Sequence, residues 1–573
     1  MKQNQKLQLN IQHSEQVKSA LDRAISFLLT QQQPKGNFEG QLSSSTFPSC
    51  AYAWIQLAQG NTPDTNLIDW FINTQKNDGA WGLDTANQSN HAATQFVRLI
   101  LEQIDNDTPD PRLQNTITQI PQYPLDLALI KLAYASFNLF EWHKLTMSKN
   151  ALPLMKIVKF LTHIPILREK LKPPRNILPP VDLFNTPLFD DLFIAEQHTL
   201  VPVFILIELN TTKRPDILNA LVEWLKTRVL SDGSWFRVNY ITALSVLALI
   251  EYDKYAGTEP EISDFIQNGI KWLQSTQNPD GGCREAINLN VWDTALSIIA
   301  LTEVNKNSKE TIKAIKIAAQ WLVEHQNDDG GWAFSGMTDS ALPTDADDTA
   351  LATLAIIRAN LSSESAKNAI HRGIQWLKQN QGKDGSWSTY QPGQGDVGCV
   401  SITSHAIEAL LTHGNNNMSV KRAIQWLRAN IHKDGFWDDL WLAKHTYGTA
   451  CALIALIKAG YAEVPEITQG VGWLEQAQNP DGGWGEDMFG NPSESTVEQT
   501  AWCTQALLLV NAENTAAQKG IAFLLEHQRE NGSWQESCVG IYWEIIGGYS
   551  DPIYASVFPI LALNQYAKKL YQF

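Results

Sequence analysis

Apolar positions along the chain fall in short helical runs, such as Thr349 to Arg358, His405 to Leu411 and Thr449 to Lys458, and one polar punctuation separates them. The punctuation is a unit Gln-x-x-x-Gly-x-Trp, found at Gln75-Gly79-Trp81, Gln326-Gly330-Trp332, Gln381-Gly385-Trp387, Gln478-Gly482-Trp484 and Gln528-Gly532-Trp534. Degenerate copies stand at Gln32-Gly36-Phe38, Gln277-Gly281-Cys283, Gly233-Ser234-Trp235 and Gly435-Phe436-Trp437. A second set of helices, with an aromatic in matching register, runs ahead of many copies: Trp272-Leu273, Trp321-Leu322, Trp376-Leu377, Trp426-Leu427 and Trp473-Leu474. From Cys283 onward the copies recur at intervals of roughly fifty residues, room for two helices and their turns. The pattern predicts an all-α chain of helical hairpins. No such hairpin can bury its apolar face alone, so hairpins close on one another as rings of inner and outer helices. The Asp-Gly and Asn-Gly pairs suit a turn that needs a left-handed residue where an outer helix ends. These motifs build architecture rather than chemistry.

A chain of 573 residues exceeds the usual ceiling for one core, and repeats on both sides of Glu285 predict two α/α barrels, residues 1–284 and 285–573. The extreme N-terminus is left free to pack on the other barrel. Between Ile164 and Pro202, with Pro173-Pro174 and Pro179-Pro180, the repeat lapses into an irregular connection within the first half. The formal net charge of -16 excludes the basic stripe of a nucleic-acid binder and gives no bulk attraction to anionic lipid. Six scattered cysteines form no CxxC pair or zinc-ligand spacing, which fits reduced, buried residues of a cytoplasmic protein. Met1 to Gln16 has no apolar core of a secretory signal, and the most apolar stretch, Leu200 to Leu209, is interrupted by Pro202 and Glu208.

Chemistry concentrates at Pro343 to Ala350, where Asp345, Asp347 and Asp348 crowd ahead of an apolar helix. Folded together and desolvated, three carboxyls cannot all stay ionised, so one should hold a proton near neutral pH and serve as a general acid. Two plainer readings compete: an ordinary acidic helix cap, and a magnesium site of clustered carboxylates.

The segments Val291-Trp292-Asp293-Thr294-Ala295, Asp345 to Ala350, Tyr447-Gly448-Thr449, Gln478 to Asp487, Gln499-Thr500-Ala501-Trp502 and Val557-Phe558-Pro559 resemble the class II terpene cyclases, and among them squalene-hopene cyclases. The resemblance implies two α/α barrel domains of the βγ didomain type flanking a cavity, with the DxDD motif in the second. It implies that Asp347 is the proton donor, with Asp345 and Asp348 beside it. It also implies that His405, in Ile402 to Ala406, hydrogen-bonds Asp347 and raises its acidity. Trp292, Tyr390, Trp441, Tyr447 and Tyr554 fall where the family lines its cavity, and aromatic faces attract carbocations by roughly 0.5 to 2 kcal/mol each. For each of them, ordinary core packing competes with that role.

Four departures stand out. Ser401 replaces the aspartate usual four positions before the histidine, His445 stands where relatives often have tyrosine, the loop after Tyr390 is short, and the stretch from Leu209 to Trp224 lacks a membrane-dipping apolar segment. Ser49-Cys50 and Ala93-Thr94, with Arg98 and Arg237 nearby, replace carboxylates at the far end of the cavity. That favours a prenyl diphosphate of fifteen to twenty carbons as substrate, held by Arg237, with squalene or another triterpene polyene as the alternative. No cofactor is implied; magnesium would enter only as a counter-ion of the diphosphate. The partner is a linear isoprenoid, with peripheral membrane contact and oligomeric state left open. A prenyltransferase β-subunit or a non-catalytic lipid-binding barrel would share the repeats, but the former's Asp, Cys and His zinc set is missing from the sequence.

Overall fold

The computed structural model describes residues 2–86, 88–162, 174–257, 259–304, 308–336, 342–390, 392, 397–414, 418–543 and 547–570. Part of the proline-studded connection, residues 163–173 with Pro173, and most of the short loop after Tyr390 lie outside the described residues.

Each repeat turns the same way because its polar atoms are spoken for locally. In the Trp332 copy, the indole Nε1 donates to the Leu322 carbonyl at 2.8 Å, closing the outer helix over the turn. The Trp332 amide donates to Thr349 Oγ1 at 2.9 Å, which stitches the turn to the inner helix. Gln326 Nε2 donates both to the Gly330 carbonyl and to the Ala369 carbonyl of the next outer helix. Gln381 and Gln478 repeat this double bond to Ser419 and Ala516. A glutamine amide with two N–H donors fits the task, since it satisfies one carbonyl in its own turn and one at the neighbour's helix. The turn glycine is obligatory at Gly532, whose φ of +90° is left-handed and whose absent Cβ would sit 2.3 Å from the Arg23 carbonyl oxygen.

In the C-terminal half, inner helices Asn290–Val304, Ala346–Ala359, Val400–Thr412, Lys444–Lys458, Val497–Val510 and Tyr554–Leu570 each pack on the next, and the last packs back on the first. This closes a six-stave ring. Five outer helices follow the sequence, from Lys309–Glu324 to Thr515–Glu526. The sixth comes from the far end of the chain: helix Lys2–Thr30 packs against Tyr554–Leu570 and Thr515–Glu526. Gln528 Nε2 reaches its Ala20 carbonyl at 2.8 Å, and Gln32 Nε2 reaches the Ala314 carbonyl of the first outer helix at 3.0 Å.

The N-terminal half builds a similar arrangement on Thr46–Ala58, His91–Asp107, Ala128–Ser136, Ile194–Asn210 and Asn239–Ala256, with Asn239–Ala256 packed on Thr46–Ala58. Two of the four degenerate turns, those at Phe38 and Cys283, lie where the chain crosses between rings. Phe38 N donates to Thr294 Oγ1 at 2.9 Å, so this turn is stitched to an inner helix some 256 positions away. Cys283 N donates to Ser49 Oγ at 2.8 Å, 234 positions back. Between them Ser44–Ser45 pairs antiparallel with Cys283–Arg284. The two crossing segments thus exchange partners, and neither turn carries the tryptophan of the regular copies.

Candidate active site

Asp345 is the N-cap of helix Ala346–Ala359, with extended φ and ψ of -116° and 160°, and its carboxylate accepts from the Asp348 amide at 2.8 Å. The cap reading therefore holds for Asp345. It leaves Asp347 and Asp348 on the first helical turn, and all three carboxyls are buried. Burial first, then the neighbouring Asp347 charge, pushes the Asp345 carboxyl up to about 8 against the backbone bonds that lower it. Asp348 is pushed well up by burial and by Asp345 and Asp347, and its Oδ1 has no hydrogen-bond partner among the described residues. Burial also raises Asp347, opposed by His405.

His405 projects from Val400–Thr412, and its Nδ1 lies 2.6 Å from Asp347 Oδ1. Burial alone would lower the imidazole pKa, but the Asp347 carboxylate overrides it and the net shift is strongly upward. The pair retains a proton between two buried groups, the condition for a carboxylic acid that leaves behind a stabilised conjugate base. Asp439, which sequence reasoning passed over, steadies the histidine's helix. Its Oδ1 accepts from the Ser401 amide at 3.0 Å and its Oδ2 from the Trp441 amide at 3.1 Å. A carboxylate thus reaches the start of this helix, at Ser401, from another loop.

A cavity opens from the acidic motif toward the N-terminal half. Asp345, Asp347, Asp348, Trp292, Tyr390, Trp441 and Tyr554 all line it. Sequence reasoning missed Phe193, Phe236, Phe334 and Tyr549, which join them on the wall, as does Glu285. These aromatics sit outside the repeat motif, and no local spacing marks them. The rings form contacts along the wall, such as Phe193 to Tyr390 at 5.1 Å and Trp292 to Tyr554 at 6.5 Å between centroids.

Two expected wall residues stand elsewhere. Tyr447 faces a second cavity, also lined by His405, where it packs edge-on against Trp502 at 4.9 Å. Arg237 is fully buried and is not among the residues lining the main cavity; its Nε pairs with Asp232 at 3.2 Å within its own turn. Arg98 likewise pairs with Glu102 one helical turn on. His445 bridges Asp438 at 3.0 Å and Glu486 at 3.3 Å, also off the main cavity. Among the described residues no helix is long and apolar enough to cross a membrane.

Residues 289–397 and 393–568 match the family described as squalene-hopene cyclase C-terminal domain. A probable squalene-hopene cyclase of Sinorhizobium fredii is 30% identical over 48% of this chain and 49% of its own length. The squalene-hopene cyclase of Bradyrhizobium diazoefficiens is 27% identical over 52% of each, so the chain spans about half the length of these two relatives. The squalene-hopene cyclase of Zymomonas mobilis aligns over 96% of both chains at 25% identity. In fold, the chain is similar to ent-copalyl diphosphate synthase from Streptomyces platensis, with a TM-score of 0.54 at 17% identity, covering 97% of this chain and 99% of that one.

Proposed function

Residues 289–568 belong to the squalene-hopene cyclase C-terminal domain family, and from that premise we propose that the chain is a protonation-initiated, class II terpene cyclase acting on a linear isoprenoid, with Asp347 as the acid. The observation that carries this reading is the 2.6 Å contact between Asp347 and His405 at the end of a cavity walled by aromatic rings. In the proposed step, Asp347 gives its proton to a terminal alkene, a C–H bond forms, and the π electrons that made it leave a cation at the adjacent carbon. Internal double bonds then attack in turn. The carboxylate left at Asp347 stays paired with His405, and the reaction ends when a proton is lost from the last cation or water adds to it. Aromatic faces stabilise each cationic centre without offering a lone pair that would trap it, and exclusion of water keeps the cascade from ending early.

The prenyl diphosphate expected from Arg237 loses its support, because that guanidinium is engaged by Asp232 and does not line the cavity. A neutral polyene fits the wall better. The test is product formation from a panel of linear isoprenoids by the wild type and Asp347→Asn. We expect Asp347→Asn to keep its fold by circular dichroism and to lose turnover by on the order of a hundredfold or more, the usual contribution of a general acid. Retention of a substantial fraction of wild-type turnover would rule Asp347 out as the donor.

A further inference from the structure

Glu285 stands at the crossing between the two rings, just after the Cys283–Arg284 strand, with its carbonyl accepting from the Asn239 amide at 2.8 Å. It lines the main cavity, it is 1% exposed, and among the described residues neither carboxyl oxygen has a hydrogen-bond partner. The Ser45 hydroxyl bears on it, but its one proton goes to the Gly548 carbonyl at 2.9 Å and leaves none for the carboxyl. A buried carboxyl with no protein partner is costly unless something else meets it. The charge that bears on Glu285 is Asp84, not the acidic motif. Burial, then Asp84, pushes its pKa well up, which favours the neutral acid, a group with one O–H to give and one carbonyl oxygen to receive.

We propose that Glu285 binds the polar end of the substrate, and that this end is a neutral hydroxyl rather than a diphosphate. A hydroxyl both donates and accepts, which matches what a protonated carboxyl offers. A diphosphate would bring at least two negative charges into a cavity whose described lining holds four carboxyl groups and no arginine, lysine or histidine. Burying such a group without cations is prohibitive. The inference rests on the cyclase reading above, since it assigns the end of the chain remote from the protonated alkene.

Binding measured on the full-length Asp347→Asn protein, which should not consume the ligand, tests it. Farnesol and geranylgeraniol are compared with farnesyl and geranylgeranyl diphosphate, and with squalene. The better alcohol should bind at least about tenfold more tightly than its own diphosphate, a difference of about 1.4 kcal/mol. Glu285→Leu should weaken that alcohol by a similar factor and leave squalene unchanged, while Glu285→Gln, which keeps a donor and an acceptor, should restore most of the loss. Equal or tighter binding of a diphosphate would overturn the proposal even if neither variant folded. So would alcohol binding indifferent to Glu285→Leu, or a preference for squalene over both alcohols. Turnover by Asp347→Asn would instead overturn the acid assignment, and leaves the binding comparison to be read on its own.

Discussion

At the scale of single residues, the site depends on a carboxylate that no motif announces. Asp439 accepts from Ser401, Trp441 and Leu442 amides and from the Cys399 thiol, so one side chain ties the start of the His405 helix to the Trp441 wall. Asp439→Ala leaves those buried donors unmatched, and we expect it to lower stability by about 1–3 kcal/mol and to reduce turnover more than substrate binding, because His405 then drifts from Asp347. Chemical denaturation read beside steady-state kinetics checks both; an unchanged kcat would show that the helix needs no such anchor. The contrast with Asp345, Asp347 and Asp348 explains what was legible. Those three fall within four residues, and their crowding speaks for itself. His405 was legible only through resemblance. Glu285, Asp439, Phe193 and Phe236 converge from separate loops, and nothing in a one-dimensional pattern records that convergence. Arg237 misled for the opposite reason: a cation assigned by resemblance to the far end of the cavity suggested a head-group site, but the left-handed backbone at Arg237, φ 54°, and Asp232 keep it in the turn.

At the scale of elements, the repeat is a bonding scheme as much as a sequence pattern. The glutamine of each regular copy donates to its own turn and to a neighbouring helix, so adjacent hairpins are coupled through one side chain. Gln478→Leu removes both bonds, to Gly482 and to Ala516, and we expect a loss of about 1–3 kcal/mol in guanidinium unfolding with little change in activity, since Gln478 does not line the cavity. A loss within experimental error would mean that packing alone couples the hairpins. The period of the repeat made the helices and their pairing readable from the chain. Ring closure was not readable, because the Phe38 and Cys283 turns are stitched to inner helices more than two hundred residues away.

For the whole molecule, buried acids set a direction for pH. Asp345 and Glu498 are raised by burial to about 8 and Asp551 to about 7, and Asp293, Asp348 and Glu285 go up as well. A group raised in the folded state binds a proton there that the unfolded chain has already released, so stability falls as pH rises through the folded pKa. His405, also raised, acts in the same sense. The opposing groups act mainly at lower pH: Glu408, lowered to about 2, changes only in acid, and His198, lowered to about 4, with His413, also lowered, changes mostly below the usual imidazole value of 6.5. Between pH 6.5 and 8.5 the melting temperature should therefore fall, by on the order of a few degrees; a flat or rising profile in a calorimeter would contradict the burial-driven shifts. A second expectation concerns the crossing. Glu39 and Asn288 touch there, Oε1 to Nδ2 at 2.6 Å, so the chain can be rejoined with little change of path. A polypeptide of residues 1–40 linked to 288–573 should fold as a soluble, cooperatively melting unit, whereas residues 285–573 alone, lacking the Lys2–Thr30 stave, should aggregate. Equivalent behaviour of the two would show that the sixth outer helix is dispensable. The exchange of partners at the crossing then has a genealogical reading. The barrel that holds the acid is the host, interrupted once, between one of its turns and the inner helix that follows, and the other barrel is a guest lodged in that gap. A cavity between host and guest needs no new loop on either, and its far wall can be remodelled by changes in the guest while the proton donor and its histidine stay untouched.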